Sequence, residues 1–135
     1  MFVPKFPSMI ISKDTKMAEV IHYSYQLIPI ISRFNIKFGF GDKTVDRVCK
    51  DHNVNTILFV EIVNAFLNED YSPTDKLREV SLQDTVNYLL NSHKFFNRLK
   101  LPFIEELIHE LCWKDKAKIK HKDLLHRFFD EYRKE

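Results

Sequence analysis

Three histidines and their acidic neighbours have the types and spacing that could bind a metal ion. Glu106 and His109 form an E-x-x-H pair, which puts a carboxylate and an imidazole on one face of a helix, as in ferritin-like di-iron sites. His93 lies on the apolar stripe of the preceding predicted helix, where an imidazole would project into a helical bundle. His126 and Asp130, four residues apart, could form another two-ligand face. The predicted metal ligands are His93, Glu106 and His109.

Each of these residues also has an interpretation without a metal, and the sequence leaves both open. His93 would then be a core histidine satisfied by a polar neighbour. Glu106 and His109 would lie at the edge of a buried stripe and face solvent. That stripe consists of Ile104, Leu107, Ile108 and Leu111. His126 and Asp130 would be an exposed pair, because the inward side of their helix is taken by apolar residues. Those residues are Leu125, Phe128, Phe129 and Tyr132.

Helices are the elements that would position these side chains. With two glycines and five prolines, the chain has few turn residues for a hairpin-rich β fold, and apolar residues recur at helical spacing. Capping residues and first-turn prolines predict where the helices begin: Asp14 or Thr15, Pro29, Thr44, Asn55, Ser81, Pro102 and near Asp123. Helix 56–67 is apolar nearly all round and is predicted to be central. The predicted fold class is all-α.

The segment 35–44 holds both glycines and is predicted to be a sharply specified turn between helices. Glycine adopts positive φ angles at little steric cost, so two glycines in one short loop indicate a defined backbone path. The nearby Phe34, Phe38 and Phe40 suggest a loop packed against the body of the protein. The predicted structural loop consists of Gly39, Phe40, Gly41 and Asp42.

Composition and charge narrow the classes of function. A net charge of +2 is too small to indicate nucleic-acid binding by itself, and the lysine run 114–122 is predicted to be a solvated connection. Cys49 and Cys112 form no CxxC motif, which predicts reduced thiols and a cytoplasmic location. No apolar run approaches ~18 residues and no signal-peptide pattern is seen, so no membrane span is expected.

Shifts in composition divide the chain into four predicted segments. Residues 1–13 would form an extended arm, residues 14–67 a small helical module, residues 68–80 a polar linker, and residues 81–135 an incomplete bundle of three helices. The last predicted helix has no glycine, asparagine or proline stop signal, so the natural protein is expected to continue past its end.

Several short motifs occur in an order that resembles a known family. Pro29 is followed by the glycine loop and Lys43-Thr44, and further along come Ser92-His93-Lys94-Phe95-Phe96 and Leu101-Pro102-Phe103-Ile104. This layout resembles the bacterial di-iron proteins that repair iron–sulfur clusters, in which a short N-terminal domain precedes a hemerythrin-like four-helix bundle. The resemblance covers residues 14 to about 113 and implies a small helical module followed by a partial, three-helix hemerythrin-like bundle.

The chain also departs from that family. The family's adjacent cysteine pair falls on Gly39-Phe40, so the thiol chemistry of that pair is absent. Of the family's iron ligands, only His93 has a matching position. A loop with Gly-Phe-Gly-Asp in place of the cysteines is similar to that of Bacteroidetes regulators. In those proteins this region precedes a helix-turn-helix DNA-binding domain, which these 135 residues do not contain.

The resemblance implies a non-catalytic regulatory or sensor region of a bacterial transcription regulator, without a cofactor, that acts through protein–protein association. Three amphipathic helices leave apolar surface uncovered, which predicts a homo-oligomer. DNA would be bound only through a further domain. The alternative is a di-iron hemerythrin-like protein in iron–sulfur cluster repair or in the response to oxygen or nitric oxide. Iron would then bind if missing sequence or a second chain completed the ligand set.

Overall fold

The computed structural model describes residues 9–110 and 116–134. The described chain is mostly helical and contains no strand, which confirms the predicted all-α class. The helices are α1 (Met17–Tyr23), α2 (Ile28–Arg33), α3 (Val45–Asp51), α4 (Thr56–Leu67), α5 (Leu82–Phe95), α6 (Leu101–Glu110) and α7 (Lys116–Tyr132). Shorter helical turns occupy Tyr25–Leu27, Asp75–Glu79 and Phe96–Lys100. By its contacts the chain divides into two compact units, Met1–Asn91 and Ser92–Glu135.

None of the helices in the described residues combines the length and the apolar character that crossing a lipid bilayer requires.

Helix α4 is the centre of the first unit. Asn55 caps it, as predicted, because its side-chain oxygen accepts hydrogen bonds from the N–H groups of Ile57 (3.0 Å) and Leu58 (3.2 Å). Phe59 and Val63 are fully buried. The core around them is formed by residues 11–63: Ile11, Met17, Val20, Leu27, Ile30, Ile31, Phe34, Ile36, Phe40, Val45, Val48, Cys49, Leu58, Phe59 and Val63.

Helix α1 begins at Met17 without a side-chain cap, which corrects the predicted cap at Asp14 or Thr15. The Met17 N–H donates instead to the Lys43 carbonyl (3.0 Å), and the Val45 N–H donates to the Thr15 carbonyl (2.8 Å). Backbone pairing between the starts of α1 and α3 thus satisfies groups that a capping side chain would otherwise satisfy. This pairing joins distant parts of the sequence, so local capping signals could not predict it.

The predicted glycine turn connects α2 to α3. Gly39 and Gly41 have φ angles of 99° and 60°, in the left-handed region that glycine favours. Phe40 is buried in the core, whereas Phe38 is exposed, so only one of these two phenylalanines packs as predicted. Asp42 lies at the surface, where its carboxylate forms an ion pair with the Lys16 ammonium at 3.2 Å. Phe40 therefore attaches the loop to the core, and the two glycines allow its backbone path.

A buried carboxylate on α4 holds part of the segment predicted to be a linker, residues 68–80. Glu61 is only 5% exposed and accepts hydrogen bonds from the Tyr71 hydroxyl (3.0 Å), the Thr74 N–H (3.0 Å) and the Thr74 hydroxyl. Burial raises the pKa of Glu61, but these hydrogen bonds outweigh burial and hold the pKa below its ordinary value of 4.5. The segment after α4 is therefore attached to the helix.

A second buried polar side chain on α4 holds the segment before α1. Asn64 is almost completely buried, and its amide pairs with Ile11 through two hydrogen bonds of 2.8 Å, accepting from the N–H and donating to the carbonyl. The apolar Ile11 side chain is buried in the core. Residues Glu61 and Asn64 together attach the chain on both sides of the helical module to its central helix.

A π turn, Phe96–Lys100, joins α5 to α6, which corrects the helix break predicted before Pro102. The Leu101 N–H donates to the Phe96 carbonyl five residues back. Pro102 has no N–H, and its ring would clash with the carbonyl four residues earlier in a regular α-helix. The wider turn before Pro102 shifts the hydrogen-bond register, so the helical path can continue past the proline.

Helix α7 begins at Lys116, earlier than the start predicted near Asp123. Most of the lysine run 114–122 is therefore helical, which corrects the predicted connection. Lysine has a high helix propensity, so a lysine-rich segment is compatible with a helix as well as with a loop. Residues 111–115, with Cys112, lie outside the described residues.

We predict that the hydrogen bonds of Glu61 make the stability of the first unit depend on pH. The Glu61→Gln change should lower the unfolding free energy at pH 7 by about 1–3 kcal/mol, because the Tyr71 and Thr74 donors lose a charged acceptor. The pKa of Glu61 is lowered in the folded state, so its contribution is present above pH 4.5 and is lost as the pH falls through the folded-state pKa. Urea unfolding from pH 7 to about pH 3 should therefore show the difference between the two proteins shrinking.

The matched control is Glu79→Gln, at an exposed glutamate of the same segment. It should change the unfolding free energy by less than about 0.5 kcal/mol at every pH. A difference between the wild-type protein and Glu61→Gln that stays constant over the whole pH range would contradict the role assigned to the Glu61 carboxylate.

Candidate functional site

Helices α6 and α7 form an antiparallel hairpin whose described contacts are largely polar. An Arg133 guanidinium nitrogen donates to the Glu105 carboxylate at 2.5 Å. One turn further along α6, the imidazole rings of His109 and His126 lie with centroids 4.4 Å apart, tilted by 44°. Both contacts join side chains that are wholly or partly open to solvent, so the ion pair contributes little stability by itself.

His126 lies on the inner side of this hairpin. The residue is half-buried, which corrects the exposed position predicted for it, while Asp130 is exposed as predicted. The Nε2 atom of His126 is shielded from solvent and has no hydrogen-bond partner among the described residues. Leaving a buried polar atom without a partner costs about 1–3 kcal/mol, so such an atom requires an explanation.

The predicted metal ligands do not converge. His93 is exposed, although the sequence predicted an inward position, and the Asn97 side-chain amide donates to its Nε2 atom at 2.8 Å. Glu106 and His109 lie on the exposed surface of α6, as in the interpretation without a metal. Within residues 9–110 and 116–134, no three histidine, cysteine or acidic side chains come together as metal ligands would. The described residues alone therefore do not assemble a di-iron centre.

Two further candidates for chemistry also have structural explanations. Glu19 and His22 on α1 repeat the E-x-x-H spacing, but both are exposed. The Cys49 thiol is buried in the core, and burial raises its pKa to about 12. A thiol with so high a pKa remains protonated at neutral pH and is a poor nucleophile. Cys49 therefore acts as a small apolar core residue.

Helix α5 turns its apolar stripe to solvent, which corrects the predicted inward stripe. The exposed residues, here called the α5 stripe, are Leu82, Val86, Leu89 and Leu90. The opposite face packs through Tyr88, whose ring lies 4.5 Å from that of Phe34 and 5.6 Å below the Arg33 guanidinium. At the start of the helix, Asp84 accepts a hydrogen bond from the Asn55 side chain (3.2 Å). Aromatic and polar contacts thus orient α5.

Helix α7 also exposes apolar side chains to solvent. The exposed apolar residues, here called the α7 stripe, are Leu124, Leu125, Phe128 and Tyr132. Leu125, Phe128 and Tyr132 were predicted to face inward. Phe129, which was predicted to face inward with them, is half-buried. His126 and Arg133 contact α6. On α6 itself, Ile108 is buried while Phe103 and Leu107 are exposed. The hairpin therefore buries Ile108 and includes polar contacts on its inner side, while the α7 stripe faces solvent.

The chain matches no protein-family model, no curated protein and no solved structure. Its functional features must therefore be judged from the side chains themselves. Two features are candidates. One is the exposed apolar surface of the helices after α4. The other is the buried Nε2 atom of His126.

We predict that replacing His126 by leucine leaves the hairpin as stable as before or stabilises it by up to about 1 kcal/mol. Leucine fills a similar volume and removes a buried nitrogen that lacks a partner among the described residues. Amide hydrogen exchange of α6 and α7 measures this local stability. The control is His93→Leu, at an exposed position, which should have little effect. Faster exchange in His126→Leu by more than about tenfold would show that the imidazole makes a stabilising interaction.

Proposed function

We propose that this chain is a non-catalytic regulatory or sensor region that acts through association with another protein. The observation that carries the proposal is the exposure of the α5 and α7 stripes. Amphipathic helices normally bury their apolar stripe, because each Å² of apolar surface removed from water contributes roughly 25 cal/mol. Two such stripes facing solvent are typical of a surface that a partner covers.

The position of the core supports the same conclusion. All but two of the buried apolar side chains in the described residues belong to the core formed by residues 11–63, and the two others are Leu101 and Ile108. In the second unit, Ser92–Glu135, Leu101 and Ile108 are thus the buried apolar side chains among the described residues. So few buried apolar side chains offset little of the chain entropy that is lost on folding. Small units of this kind are commonly stabilised by association.

The resemblance to regulators gives the association a biological role within the proposal. A region of this type would transmit a signal by changing its association, and DNA would be contacted by a further domain. A hemerythrin-like arrangement of α5 to α7 and a cytoplasmic location belong to the same proposal. The single described thiol, Cys49, is buried and reduced, which is compatible with the cytoplasm.

We predict that a photo-crosslinking residue placed in either stripe captures a protein partner in cells that express the chain. The test positions are Leu89 in the α5 stripe and Leu124 in the α7 stripe. The matched control is Asn87, an exposed residue of α5 outside the stripe. Mass spectrometry should identify adducts with one defined protein, which can be a second copy, from a stripe position and not from Asn87. Equal and low adduct yields from all three positions would contradict the proposal.

The alternative function, a di-iron protein, is favoured by one observation, the approach of His109 to His126, whose Nε2 atom has no hydrogen-bond partner among the described residues. The described residues do not complete such a centre, so further ligands would have to come from elsewhere. Elemental analysis of protein produced with added iron and purified without oxygen separates the two functions. The proposed association function predicts no iron above background. Near two irons per chain, lost in His109→Ala and retained in the control His52→Ala, would favour the di-iron function.

A further inference from the structure

We propose that the α7 stripe is an interface on which a second copy of this chain packs antiparallel to the first. This inference rests on the proposed association function and names the partner. Helix α7 is a single 17-residue helix whose stripe residues are exposed, while His126 and Arg133, outside the stripe, contact α6. A partner can therefore cover the stripe without disturbing the hairpin.

The area of the stripe is sufficient for a reversible dimer. Leu124, Leu125, Phe128 and Tyr132 expose 65%, 36%, 59% and 57% of their surface, respectively. Since one aromatic side chain can bury roughly 150–250 Å², the stripe offers on the order of 500 Å² per chain. Two copies would together bury about 1,000 Å², which is near the lower limit of specific interfaces. The dimer should therefore dissociate on dilution.

The charges beside the stripe favour a second copy in the antiparallel direction. At 3.6 residues per turn, Lys120 and Glu131 lie on the same border of the stripe, near its opposite ends. A two-fold axis that crosses α7 midway between these two residues, near Leu125, brings Lys120 of one copy next to Glu131 of the other, and this contact occurs twice. A parallel two-fold pair would instead put this border of the two copies on opposite sides of the interface, so Lys120 and Glu131 would have no partner across it. Opposed helix dipoles also favour the antiparallel direction.

We predict that the full chain is a dimer in sedimentation experiments at about 200 μM and dissociates toward about 1 μM, as expected for an interface of this size. Phe128→Glu should make it a monomer at all of these concentrations. The matched control is Phe38→Glu, at an exposed phenylalanine of the glycine loop, which should remain a dimer. Circular dichroism confirms that both variants keep their helix content. A monomeric wild-type chain, or a Phe128→Glu variant that dimerises as the wild type does, would overturn the proposal.

A charge exchange tests the direction of the two helices. Lys120→Glu and Glu131→Lys should each weaken the dimer by about three- to tenfold, because two attractive pairs become repulsive. The double variant should return to within about twofold of the wild-type dissociation constant, since both pairs are restored with reversed signs. Lys120 and Glu131 are eleven residues apart on one helix, so restoration requires contact between copies. A double variant weaker than both single variants would overturn the antiparallel assignment.

The proposal and the function on which it rests fail in different ways. A wild-type chain that stays monomeric removes the second copy as the partner, while crosslinks from the stripes to a different protein would still support association. Absence of crosslinks from both stripes contradicts association with any partner.

Discussion

The burial of apolar side chains around α4 is the constraint on which the first unit depends. Phe59 and Val63 of this helix are fully enclosed by the core, and the Phe34 ring packs 5.2 Å from Phe59. The same helix also supplies two buried polar side chains, Glu61 and Asn64, that hold the neighbouring segments by hydrogen bonds. Buried polar groups are stable only when they are paired, so these segments cannot separate from α4 without losing their partners.

The same hydrophobic constraint explains why the later helices are candidates for association. Helix α5 packs on the first unit through Tyr88 and Asp84, so its leucines remain on the opposite face. Helix α7 contacts α6 through His126 and Arg133, so the residues of the α7 stripe remain exposed to solvent. Two helices whose apolar stripes face solvent are energetically incomplete in a single chain. A partner that removes these faces from water would supply the missing burial.

The sequence predicted the features that depend on a few neighbouring residues. Thr44, Asn55 and Ser81 accept hydrogen bonds from the first amides of α3, α4 and α5. Each of these signals involves a side chain and a backbone group within three residues of each other. Their chemistry is therefore contained in the local sequence.

The features that the sequence did not predict depend on distant residues. The contact of Tyr88 with Phe34 determines which side of α5 faces inward. The contact of His126 with His109 does the same for α7. The apolar pattern of each helix alone favours the opposite side. The role of Glu61 depends on Thr74 folding back against α4, thirteen residues away. For His93, helical periodicity placed the imidazole inside a bundle, but the structure places it at the surface. Periodicity shows that a helix has an apolar face, and it does not show which molecule covers that face.

The account depends most on a second copy of this chain covering the apolar stripe of α7. Hydroxyl-radical footprinting tests this directly, because it reports the solvent exposure of individual aromatic side chains. The oxidation rate of Phe128 should fall as the concentration of the purified chain rises, while that of the exposed Phe38 stays constant and serves as an internal reference. If Phe128 is oxidised as fast as Phe38 at every concentration, a second copy does not cover the stripe, and the account of its partner is wrong.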